Sequence, residues 1–215
     1  MKSVLLVGIG RFGTLLAVQL GKLGHQVMAV DKDEENITPI LPYLTGARIG
    51  DSTNEAFLRG LGVDRYDLCM VAIGDDFLSS LETVNLLKEL GARKVIARAE
   101  KEMQEKFLLR NGADEVVNPA LEMARWTAIR YTSDHILDYT ELDDAHAIFE
   151  LAVPKDWEGR TVGQIDIRKR FGVTIMALKE DGHLELPVTP DTLLSEDKTM
   201  LVLGRRQEIQ KCFKL

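Results

Sequence analysis

Ser3-Val4-Leu5-Leu6-Val7-Gly8-Ile9-Gly10-Arg11-Phe12-Gly13-Thr14 decides the fold class of this chain. Its first five residues, β-branched and aliphatic after Ser3, read as a strand. The glycines follow at once and open a helix-period stretch, Phe12–Leu23. GxGxxG alone is a weak signal, but a strand directly before it and a helix directly after it give it a purpose. Gly8 permits a tight turn, Gly10 lets the backbone approach a diphosphate, and Gly13 lets the helix pack close to the strand. The unpaired N–H groups at the helix start then meet the anion. Arg11 and Phe12 sit in this loop. A cation is slightly unfavourable at that end of a helix dipole, which favours a phosphate contact for Arg11. Asp31 ends the next strand-like run, 18 residues after Gly13. Its carboxylate suits free ribose hydroxyls and repels a 2′-phosphate, so NADP is disfavoured.

Outward from this stretch the pattern repeats. Strand-like runs occur at Ser3–Val7, Gln26–Val30, Ala47–Ile49, Asp67–Ile73, Lys94–Ala97 and Glu115–Val117. Helix-period stretches fill the gaps. Phe77, Leu78, Leu81, Val84, Leu87 and Leu90 recur at helical spacing before Gly91, and Asn118-Pro119 opens a later helix with Asn as cap. Alternating strands and helices imply parallel strands joined by right-handed crossovers, and largely apolar strands imply cover on both faces. Six such units make a doubly wound, Rossmann-like domain. In such folds ligands bind at the carboxyl ends of the strands. Gly50-Asp51-Ser52-Thr53 follows the third run and Ile73-Gly74-Asp75-Asp76 the fourth, while Arg98 follows the fifth. Asp76 also suits the N-cap of the helix from Phe77.

The pattern changes after about Thr132. Shorter strand-like runs at Ala147–Val153, Val173–Lys179, His183–Leu186 and Thr199–Leu203 are separated by turn signals, with a final helix over Arg205–Phe213. This predicts a small α+β domain over 135–215 behind a nucleotide-binding domain over 1–134. The polar stretch Asp138–Asp144, with His146, meets no metal-ligand spacing and is expected as a solvated hinge; no metal site is expected.

Composition narrows the function classes. The 215 residues are 45% hydrophobic and 28% charged, ordinary for a globular protein, with a formal net charge of −7. That balance, without a basic stripe, disfavours nucleic acid as a partner. The two cysteines form no disulfide framework and fit a reducing, cytoplasmic setting. No secretory signal leads the chain, and no apolar run approaches the roughly 18 residues of a membrane helix, so membrane association is expected only through a partner.

The loops together resemble the RCK family (regulator of potassium conductance, TrkA-N/TrkA-C). The matching stretches are VGIGRFG at 7–13, VDKD at 30–33, GDST at 50–53, VAIGDD at 71–76, ARA at 97–99, ETVNLLKELGA at 82–92 and NGADEVVNP at 111–119. EGRTVGQIDIRKRFGVTIMALKEDG at 158–182 and TMLVLG at 199–204 are similar to the family's C-terminal subdomain. The resemblance implies a regulatory subunit of a Ktr- or Trk-type potassium-uptake system, closest to the single-unit Ktr type. It implies dimers, an octameric ring, and an integral-membrane potassium-translocating partner. It further implies a nucleotide site for ATP or ADP, or else NAD(H). Carried over by position, Gly8, Gly10, Arg11, Phe12 and Gly13 hold phosphates and Asp31, Lys32 and Asp33 surround the ribose. Asp51, Ser52, Ile73, Gly74 and Asp75 line the pocket, with Arg98 near the polyphosphate. Some relatives bind cyclic di-AMP between paired C-terminal domains, where Arg168–Ile175 and Pro190 would lie. Ala120 stands where the family often has an acid, which weighs against a cation-assisted ATP scheme.

The rival is a small NAD-dependent oxidoreductase or a redox-sensing NAD-binding protein. None of the four tyrosines has Lys four positions on, and the four histidines, His25, His135, His146 and His183, form no clear partner set. A nucleotide site without a visible reaction suits a sensor that biases one shape over another, and no catalytic residue is expected.

Overall fold

A computed structural model describes residues 1–132 and 135–213. The chain divides into two compact units, Met1–Leu121 and Glu122–Leu215. The boundary expected after residue 134 falls at residues outside those described.

The first unit alternates β1 (Ser3–Val7), α1 (Arg11–Lys22), β2 (Gln26–Asp31), the short α2 (Glu34–Ile37), β3 (Gly46–Ile49) and α3 (Glu55–Leu61). It continues with β4 (Leu68–Val71), α4 (Phe77–Glu89), β5 (Val95–Arg98), α5 (Glu102–Arg110), β6 (Glu115–Val117) and the start of α6 (Pro119–Tyr131). All six strands are parallel, in the order β3-β2-β1-β4-β5-β6. The strand order reverses between β1 and β4, which creates the crevice where doubly wound folds take their ligands.

The side chains of β1 show why this strand is central. Leu5 and Val7 join a core built with Leu58 of α3, Val84 and Leu87 of α4 and Leu108 of α5. Leu6 joins the opposite core with Ala17 of α1, Ile37 and Ile40. A strand buried on both faces leaves no polar position, hence the unbroken apolar run Val4–Val7. Each fully buried Leu contributes about 1.5–3 kcal/mol by area removed from water. The edge strands are less covered than their apolar composition implies, and Ile49 on β3 is exposed.

Local signals set the helix ends. Asn54 and Asp76 start α3 and α4 by accepting the N–H groups of Phe57 and Ser79, both at 3.1 Å. Asn118 accepts that of Leu121 at the head of α6. Gly91, at φ +85°, follows α4.

The second unit contains β7 (Ile136–Glu141), β8 (His146–Ala152), α7 (Val162–Ile165), α8 (Ile167–Phe171), β9 (Thr174–Glu180), β10 (His183–Glu185), β11 (Thr199–Arg205) and α9 (Arg206–Phe213). Its strands form an antiparallel sheet in the order β10-β9-β11-β8-β7. Burial alternates along β8 and β11, which turn Ala147, Phe149, Leu151, Met200 and Val202 into the core.

The acidic stretch expected as a hinge is partly a strand, since β7 runs through Asp138 to Glu141. The register shifts between Ile136 and Asp138, so Ile136 and Tyr139, three positions apart, both face the core. This bulge removes the two-residue period by which a half-buried strand is recognised. The Asp138 carboxylate is already engaged, accepting from Trp126 Nε1 at 3.0 Å and the Tyr139 N–H at 2.8 Å. Asp143 likewise accepts the N–H groups of Ala145 and His146.

Candidate functional site

At the carboxyl ends of the parallel strands, where β1 and β4 part, lies a cavity of about 650 Å³. That size fits a drug- or nucleotide-sized ligand.

The three glycines of the fingerprint do different work. Gly8, at φ +89°, takes a backbone conformation that L side chains rarely adopt, and a Cβ there would lie 2.8 Å from the backbone nitrogen of Ile73. Its N–H donates to the Val30 carbonyl at 2.9 Å, tying the turn to β2. Gly13 does not line the cavity. A Cβ on it would come within 2.0 Å of the Gly8 carbonyl oxygen, so its missing side chain is what lets α1 sit against the turn. Gly10 is the N-cap of α1 in ordinary extended geometry, with no side-chain cap, and a Cβ there would meet nothing within 4 Å. It is bare on its open side, beside the first N–H groups of a 12-residue helix, a place whose partial positive charge suits an anion.

Arg11 and Phe12 line the cavity beside Gly8 and Gly10. Asp31, at the end of β2, does more than line the cavity. Its Oδ2 accepts the Ile9 N–H at 2.6 Å, while Oδ1 accepts the Asp33 N–H at 2.9 Å and Asn36 Nδ2 at 3.1 Å. The carboxylate therefore fastens the glycine turn to the β2 loop. Lys32 and Asp33 line the same wall.

Asp51 and Ser52 form the next wall. The Asp51 carboxyl accepts the N–H of Thr53 at 2.9 Å and its hydroxyl at 2.8 Å. These bonds, the backbone one first, hold it below the usual carboxylate range. Ser52 is buried, and its hydroxyl shares a 2.8 Å hydrogen bond with Thr83 on α4. Ile73, Gly74 and Asp75, after β4, also line the cavity. The Arg98 guanidinium rests over the Phe12 ring at 5.6 Å and pairs with Glu100 at 2.8 Å. A Cβ on Gly74 would lie 2.5 Å from Arg98 Nη1, so the bare glycine makes room for the guanidinium.

Every residue expected at the site lines the cavity except Gly13, which shapes it from behind. The expected set lacks Asn36, Ser79 and Glu100, which also line it. Each lies within a few residues of an expected one: Asn36 beyond Asp33, Ser79 beyond Asp75, Glu100 beyond Arg98. The Ser79 hydroxyl, then its N–H, hold the Asp76 carboxyl below its ordinary range. Three cations (Arg11, Lys32, Arg98) face six carboxylates (Asp31, Asp33, Asp51, Asp75, Asp76, Glu100). Net charge therefore does not favour an anion, and the features here that do are local: the α1 terminus and the two arginines.

Residues 4–119 match the TrkA-N domain model and residues 146–215 the TrkA-C domain model. The chain belongs to the TrkA-N/TrkA-C family. This TrkA-type chain is 32% identical over 210 residues to Ktr system potassium uptake protein C of Bacillus subtilis (strain 168), covering 98% of this chain and 95% of that one. It superposes on the crystal structure of the GsuK RCK domain with a TM-score of 0.71 at 21% identity, covering 100% of this chain and 47% of that one. Against the GsuK channel bound to NAD the TM-score is 0.69 at 21% identity, covering 96% of this chain and 38% of that one. The chain thus spans less than half the length of either GsuK chain. Both likenesses establish the doubly wound domain and its small α+β companion as the RCK fold. Among the described residues, no helix is long and apolar enough to cross a membrane.

Proposed function

We propose that this TrkA-type chain is the regulatory subunit of a Ktr-type potassium-uptake system. In this role it binds an adenine nucleotide at the strand-end cavity and passes the bound state to an integral-membrane potassium-translocating subunit. The observation that carries this is the pairing of a bare Gly10 at the head of α1 with Asp31 at the end of β2. The two face one cavity, in a chain aligned almost end to end with a Ktr potassium uptake protein.

The chemistry divides along the cavity. The α1 N–H groups, Arg11 and Arg98 take the phosphates, and Asp31 takes the ribose. ATP and ADP are the favoured ligands, with NAD(H) the alternative; a free 2′-hydroxyl is needed beside Asp31 in each case. The first domain spans 1–134 and the second 135–215. The second is the place to look for cyclic di-AMP. First domains pair as dimers and assemble into an octameric ring at the cytoplasmic face of the membrane partner. A nucleotide exerts control only through its different affinity for two inter-subunit arrangements. The function needs no catalytic step.

Thermal melting of the purified chain with ATP, ADP, NAD, NADH and cyclic di-AMP, each alone, tests this directly. A ligand that binds only the folded state at 100 times its Kd adds about 2.7 kcal/mol. A clear rise with ATP or ADP is expected. A rise with NADH alone, accompanied by turnover, would transfer the site to the oxidoreductases, and no rise with any of them would remove the nucleotide site.

A further inference from the structure

Asp31 is nearly saturated by the protein itself. An ionised carboxylate only accepts hydrogen bonds and offers about four positions over its two oxygens. Ile9, Asp33 and Asn36 fill three of them, two on Oδ1 and one on Oδ2. One acceptor position remains, on Oδ2. A ribose 2′,3′-diol brings two hydroxyl donors, so Asp31 alone satisfies one of them.

Asn36 stands beside it and lines the same cavity. Because Asp31 only accepts, the atom of Asn36 that faces it at 3.1 Å is the amide nitrogen. The amide oxygen is therefore the end turned away from the carboxylate, and it is an acceptor. One amide thus steadies Asp31 with its nitrogen and offers a second acceptor with its oxygen.

We propose that Asn36 is a ribose-reading residue, accepting one hydroxyl of the diol while Asp31 accepts the other. This rests on the nucleotide site proposed above. The pair makes the cavity selective for ribonucleotides over their deoxy forms. A site that hydrogen-bonds a hydroxyl rejects the analogue lacking it, because its own polar group is left unpaired.

Calorimetric titration with ADP, 2′-deoxy-ADP and 3′-deoxy-ADP, on the unaltered chain and on Asn36→Ala, tests the assignment. In the unaltered chain each missing hydroxyl weakens binding, by about 5-fold if worth one ordinary hydrogen bond. Asn36→Ala should weaken ADP to a similar degree and abolish discrimination at one hydroxyl while keeping it at the other. Should Asn36→Ala fail to fold, Asn36→Ser carries the same comparison. An Asn36→Ala chain that discriminates at both hydroxyls as before overturns the proposal, and so does an unaltered chain indifferent to both. An unaltered chain that binds none of the three fails earlier, at the nucleotide site itself, and is distinguishable on that ground.

Discussion

The three fingerprint glycines separate into two that build the fold and one left bare toward the cavity, and alanine substitution tells them apart. At Gly13 a new Cβ would stand 2.0 Å from the Gly8 carbonyl oxygen, against the roughly 3.5 Å of a comfortable contact. Relieving that overlap means moving α1 away from the end of β1. Overpacking of this kind costs about 1–3 kcal/mol, and backbone on both sides of the contact argues for the upper end. Ala is favoured over Gly inside a helix by about 1 kcal/mol, leaving a net loss of about 2 kcal/mol. For a chain of this size that lowers the melting temperature by about 4–8 °C. Gly10→Ala meets nothing within 4 Å, and Gly10 has φ −73°, which any residue adopts. A few tenths of a kcal/mol lost at the cap are offset by a similar gain from a stiffer unfolded chain. Its melting temperature should stay within about 2 °C of the unaltered chain. In the proposed site its new methyl stands in the path of the diphosphate, so nucleotide affinity should fall at least tenfold, about 1.4 kcal/mol. Melting curves without ligand, and calorimetric titration with ADP, measure both halves. Gly10→Ala protein that binds ADP normally, or Gly13→Ala protein that melts with the unaltered chain, would refute this division of labour.

Three further outcomes follow from the same geometry. Gly74→Ala should leave the melting temperature unchanged, because the atom it displaces is the flexible end of Arg98, yet weaken ADP binding about 3- to 10-fold in titrations by moving the guanidinium proposed to hold a phosphate. Asp31→Ala should destabilise the chain by about 1–3 kcal/mol in denaturant melts without nucleotide, because the Ile9 and Asp33 N–H groups lose their acceptor. Burial pushes the Asp114 carboxyl up, but Lys88 at 2.9 Å and the Val95 N–H at 2.6 Å outweigh it and hold the group below its ordinary range. With the folded value below the unfolded one, this contribution is complete above the ordinary Asp value of about 4 and is lost as pH falls through the folded value. Asp114→Asn, which keeps an acceptor for Val95, should therefore cost about 0.5–1 kcal/mol at pH 7 and progressively less below pH 4, read from denaturant melts across that range.

The first unit was legible because its signals are local. A buried parallel strand such as Val4–Val7 is written as an apolar run, and Gly8-Ile9-Gly10 marks its end whatever the distant chain does. The second unit hid β7 because Ile136 and Tyr139 share a face only through a bulge, and a bulge is set by the partner strand β8. The site divides in the same way. Asp31, Gly74 and Arg98 sit at strand ends, where the fold class points. Asn36 lies on a short helix, and nothing in its neighbourhood marks it until the amide is seen against Asp31. Gly13 was expected in the binding set on the strength of the motif, whereas its contact is with Gly8 and its effect on the cavity is indirect.

The Ser52–Thr83 hydroxyl pair carries a practical consequence. Both residues are buried, their oxygens lie 2.8 Å apart, and one of them belongs to the cavity wall. Protons held inside a well-packed core exchange with water only when the structure opens. A hydroxyl proton here should persist long enough to give its own magnetic resonance signal, free of the crowded amide region. It would be a label the chain already carries, whose frequency moves when the cavity fills and whose lifetime reports how often the cavity wall opens.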